Sequence, residues 1–102
     1  MQDPIRENSI DYMLILIIED DYQILQFLEK GLKEEGYVVD AAQNGSEGYH
    51  LLCQNQYDAA IVDIMLPGMS GIEIVESIRS RKISTPILFL SAKSTVDDKV
   101  LG

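Results

Sequence analysis

A single cysteine, Cys53, stands in a chain of 102 residues, so no internal disulfide can close and no CxxC pair can build a cysteine zinc site. Its thiol is expected to serve as a small core hydrophobe, the usual place of an unpaired cysteine. Basic residues are also scarce: 8 lysines and arginines face 17 carboxylates, for a net charge of −9. That balance repels phosphate backbones and anionic lipid, so direct nucleic-acid binding by this chain is not expected. Long apolar runs are missing. The stretch from Met13 to Ile18 is far too short to cross a bilayer and has no basic segment before it, which points to a soluble, cytoplasmic chain without membrane contact. No P-loop, dinucleotide fingerprint, internal repeat or Pro- or Ser-rich linker interrupts the pattern. A hydrophobic content of 46% is enough for one compact core.

What is present is an alternation. Short apolar runs at Leu14–Ile18, Tyr37–Ala41, Ala59–Ile64 and Ile87–Leu90 are separated by segments of helical period, the pattern of a parallel sheet covered by helices. Ile24, Leu25, Leu28 and Leu32 share one face of a first helix that ends near Gly36, with Asp21 placed to cap its start. A second helix is predicted over about Ser46 to Cys53. A third follows Gly71, where Ser70 and Glu73 have capping-box spacing and Ile74, Val75 and Ile78 supply the apolar face. A fourth begins at Ser94 and carries Val100 and Leu101. Right-handed crossovers would make this an α/β, doubly wound parallel sheet.

In such a sheet, ligands gather beyond the carboxyl ends of the strands. Glu19 and Asp20 follow the first run, Asp63 lies near the end of the third, and Ser91 follows the fourth, so four polar groups from three strands should meet at one rim. Carboxylates crowded in a partly dry cleft either raise one another's pKa or recruit a cation. An all-oxygen set without nearby histidine or cysteine suits Mg2+ better than zinc. Asp21 is adequately explained as a helix cap that complements the helix dipole. Asp63 is not, because an aspartate inside the apolar stretch "AIVDIM" calls for a reason to be there.

Three blocks, "IIEDD", "VDIMLPGMSGIEI" and "LFLSAKS", in this order and spacing, resemble the receiver domain of bacterial two-component response regulators, closest to the subgroup fused to a winged-helix DNA-binding domain. The resemblance runs over residues 13–102 and leaves residues 1–12 as a leader or flexible arm. It implies a flavodoxin-like receiver fold, a sensor histidine kinase as partner, and a signalling phosphoacceptor that catalyses only its own phosphorylation and dephosphorylation. By the same resemblance Asp63 accepts the phosphoryl group. Asp20, Asp63 and the backbone carbonyl of Met65 bind Mg2+, Glu19 acts through water, and Ser91 donates its hydroxyl to a phosphoryl oxygen.

The family continues through a fifth β-α unit with an aromatic switch residue and a phosphoryl-pairing lysine, and this sequence stops at Gly102 before both. Impaired phosphorylation and an exposed edge strand are expected from that, and with them association into a homo-oligomer, such as an edge-paired or element-exchanged dimer. Lys93 reads as a surface residue, with replacement of the missing lysine as its other role, and His50 as structural or exposed. Two other classes remain to be separated. One is a non-switching dimerisation module with a vestigial metal site. The other is a magnesium phosphohydrolase, which usually carries a second aspartate at the position held here by Met65.

Overall fold

The computed structural model describes residues 12–90. The arm before residue 12, the helix predicted from Ser94, and both Ser91 and Lys93 lie outside that range. Seven elements follow in the order β1 (Leu14–Ile18), α1 (Tyr22–Glu34), β2 (Val38–Ala42), α2 (Gly45–Gln54), β3 (Ala59–Asp63), α3 (Gly71–Ser80) and β4 (Ile87–Leu90). All strand pairs are parallel and the order across the sheet is β2-β1-β3-β4. The α/β, doubly wound expectation holds for the described residues.

Alternation along β1 explains the layering, because successive side chains leave a strand on opposite faces. Leu16 and Ile18 point to one side, where Ala60 and Val62 of β3 join Leu52 of α2 and Ile74 and Ile78 of α3. Ile17 points to the other, against Leu25 of α1 and Val39 of β2. Since β1 is covered on both faces, it carries no polar side chain at all. Each fully buried aliphatic chain here contributes about 1.5–3 kcal/mol relative to exposure.

The helix ends follow local chemistry. Asp21 caps α1, its Oδ1 accepting from the amides of Gln23 and Ile24 at 3.0 and 3.2 Å. Asn44 caps α2 by accepting from Glu47 N–H at 2.8 Å, so this helix starts one residue earlier and ends one later than predicted. Ser70 and Glu73 form the expected capping box on α3. The second strand is displaced by one residue from its prediction. Gly36 takes a left-handed φ of 98°, and Tyr37 N–H turns back to the carbonyl of Leu32 at 3.1 Å, so Tyr37 finishes the helix and the ladder begins at Val38. The third strand ends at Asp63 instead of Ile64, whose carbonyl receives Gly71 N–H. Cys53 corrects another expectation. It is half-buried, lying in a cleft below the sheet with Tyr57, Lys82 and Thr85, and it takes no place in either core cluster.

At the β4 edge, Leu88 is 65% and Phe89 39% exposed, which leaves an apolar strand open among the described residues. His50 is exposed. No helix among the described residues is long and apolar enough to cross a membrane.

Candidate metal centre

The chain leaves β1 for α1 and β2 on one side, then returns to place β3 on the other side of β1, so β1 and β3 flank the point where the winding reverses. Crevices form beyond the strand ends at such a point. Glu19 and Asp20 follow β1 and Asp63 closes β3, and the pairing of Ile18 with Val62 puts these ends level. One carboxylate oxygen from each of Glu19, Asp20 and Asp63 lies within 4.8 Å of the others. Residues 43 positions apart in sequence therefore meet because their strands are neighbours.

The three carboxyls are not equivalent. Asp20 is exposed and Asp63 is half-buried, whereas Glu19 is 3% exposed. Glu19 N–H joins the carbonyl of Ala42 at 3.0 Å, and its Oε2 accepts the amide of Asp21 at 2.9 Å. Burial, above all, pushes the Glu19 carboxyl up to about 7, the Asp21 amide opposes the rise, and the neighbouring charge of Asp63 with hydrogen bonds to Asp20 and Asp63 adds to it. No lysine, arginine or histidine forms an ion pair with the cluster among the described residues; the one ion pair found there joins Lys33 to Glu29 on α1. A buried carboxyl crowded by two more, with no basic partner among the described residues, fits a hard divalent cation. The donor set is oxygen only, and it suits Mg2+.

Asp63 is held by its own loop. Met65 N–H donates to Asp63 Oδ1 at 3.1 Å, the turn in which an aspartate carboxylate receives the amide two residues on. Behind it, the start of α3 presses against the end of β3: a Cβ on Gly71 would stand 2.5 Å from the carbonyl oxygen of Asp63 and 2.9 Å from Cα of Ile64. Gly71 is thus required for helix and strand to approach this closely. The family resemblance implies a carbonyl role for Met65 and gives no role to its amide, although a D-x-M segment leaving a strand has the spacing for that bond. Sequence reasoning brought Glu19, Asp20 and Asp63 together correctly. Ser91 lies outside the described residues.

The profile of the response regulator receiver domain family matches residues 15–101. The chain belongs to this family. As a receiver domain it is similar to the probable transcriptional regulatory protein SilR of Salmonella typhimurium, with 47% identity over 88% of this chain and 40% of that protein. It spans about 40% of the length of the curated relatives it matches. Among solved structures, the receiver domain of the Francisella response regulator 1452 superposes with a TM-score of 0.77 at 32% identity, over 86% of this chain and 73% of that one. The response regulator TrrA of Thermotoga maritima gives 0.74 at 39% identity, over 78% and 70%. TrrA has been solved in complex with Mg(2+)-BeF and also with the histidine kinase ThkA.

Proposed function

We propose that this receiver domain takes a phosphoryl group onto Asp63 from the phosphohistidine of a sensor kinase, with Mg2+ seated by Asp20, Asp63 and the Met65 carbonyl and with Glu19 acting through water. The observation that carries the reading is the meeting of three carboxyls within 4.8 Å at the β1/β3 crevice, one of them buried. The complexes of TrrA, a relative at 39% identity, with Mg(2+)-BeF and with a histidine kinase support it.

When bound, the cation supplies neutralisation of the negative charge gathered between the carboxylates and the incoming phosphoryl oxygens. Asp63 supplies the nucleophile. Its carboxylate oxygen approaches phosphorus in line, the new P–O bond forms as the P–N bond to the kinase histidine breaks, and the imidazole leaves with its electron pair. Met65 N–H, fixed on Oδ1, sets the plane of the carboxylate. Glu19 must release its proton before the full charge of the cluster is available to a cation. Ser91 would donate its hydroxyl to a phosphoryl oxygen. Residues 13–102 would form this receiver unit and residues 1–12 an arm, in a cytoplasmic signalling protein that regulates transcription through a partner domain. Among the described residues β4 has an open edge, with Leu88 and Phe89 exposed, which supports pairing between two copies, and sedimentation showing only monomer at high concentration would exclude that pairing.

Incubation with acetyl phosphate and Mg2+, read by intact mass, tests the central assignment. One phosphoryl addition is expected, mapped to Asp63 and absent from Asp63→Asn. Label on another residue, or label that survives in Asp63→Asn, would overturn it. A scaffold without a working site predicts no label and no saturable Mg2+ response, so the same samples separate the two readings.

A further inference from the structure

We propose that Met65 is an oxidation-sensitive element of the phosphoacceptor site, where conversion of its thioether to the sulfoxide by a hydroperoxide shortens the life of phosphorylated Asp63. This rests on the Asp63 assignment above. Met65 is 67% exposed, although methionine normally fills apolar space. Its backbone is fixed at the site: its own amide is bonded to the Asp63 carboxylate at 3.1 Å, so its exposed side chain is rooted two residues from the reacting group. The other described methionines differ on one count or the other. Met69 is half-buried against the core on the α2/α3 face, and Met13, 44% exposed, precedes β1 at the opposite end of the sheet.

The chemistry balances with the peroxide as oxidant. A sulfur lone pair attacks one peroxide oxygen, the S–O bond forms as the O–O bond breaks, and with proton transfer the second oxygen leaves as water; sulfur is oxidised and the peroxide reduced. A flexible apolar side chain becomes a strongly polar one. Phosphorylated Asp63 is a mixed anhydride, which decays by attack of water at phosphorus, and a hydrated sulfoxide next to it draws water to that bond. Methionine sulfoxide is enzymatically reducible, so the change is reversible.

The test uses the Cys53→Ser chain, which removes the thiol from the reaction. Graded hydrogen peroxide followed by peptide mapping should place the first oxygen on Met65, ahead of Met69 and Met13. The chain is then labelled with acetyl phosphate and Mg2+, and loss of label is followed by mass. Oxidation should speed that loss severalfold. Met65→Leu should show no response to peroxide relative to its own untreated rate, and Met65→Gln should decay fast without any oxidant. Equal decay rates in reduced and Met65-oxidised chains, or a peroxide response that persists in Met65→Leu, would overturn the inference while leaving the Asp63 assignment intact. If the reduced chain takes no label on Asp63, the assignment fails and the inference falls with it.

Discussion

Replacing Glu19 with glutamine should make the metal-free receiver more stable at alkaline pH and leave it nearly unchanged at acid pH. In the folded protein the Glu19 carboxyl is raised from 4.5 to about 7, so between these values the native state holds a proton that the unfolded chain has released. Stability therefore falls as pH rises through this window, and the contribution is fully present only below about pH 4.5. At 1.36 kcal/mol per pH unit of displacement, the loss by pH 8 comes to about 3 kcal/mol, a large share of a small domain's stability. Glutamine resembles the protonated acid and escapes the loss. Urea melts of wild type and Glu19→Gln at pH 5, 6, 7 and 8 measure the difference, and because both chains share the remaining acidic surface, its general repulsion cancels. Mg2+ should restore the wild type, by about 1.4 kcal/mol at ten times Kd, and should do so better at pH 8 than at pH 6, where the proton competes. A gap between the two proteins that stays flat from pH 5 to 8, or that favours wild type in the absence of metal at pH 8, would refute the reasoning.

Two further substitutions probe the scaffold. Gly71→Ala forces a methyl to within 2.5 Å of the Asp63 carbonyl; it should cost about 1–3 kcal/mol in thermal or urea unfolding and lower Mg2+ affinity through displacement of Asp63, whereas an unchanged melt would mean that helix and strand separate freely. Tyr57, 6% exposed, donates its hydroxyl to Asp40 Oδ2 at 2.8 Å, and burial, with the Asp40 bond and charge, pushes that hydroxyl up to about 12. Tyr57→Phe should lose about 1 kcal/mol at neutral pH, and the advantage of wild type should vanish as pH climbs from 10 through 12, as followed by denaturant melts.

Elements set by neighbours in the chain were legible from the sequence. Asp21, Ser70 and Glu73 cap the helices they were expected to cap, because capping involves only atoms within a few residues. The runs at β1 and β4 coincide with the strands. Where one residue had two competing uses the reading slipped: Tyr37 carries the apolar signature of a strand but spends its amide on closing α1. Cys53 shows a similar failure, since a hydrophobic residue type says what a side chain prefers and not how much room its helix face has against the sheet.

The sequence by itself determined the alternation of strands and helices, the ends of the helices and the presence of an aspartate in an apolar strand, all matters of local bonding and of which residues avoid water. It also carried the motif spacing by which the family is recognised. Only the tertiary structure decided how close the ends of β1 and β3 bring their carboxyls, and that Glu19 is the buried member of its acidic run while Asp20 faces solvent. Those outcomes depend on desolvation and on distance between segments far apart in the chain, and electrostatic energy is fixed by separation in space, which no order of residues states directly.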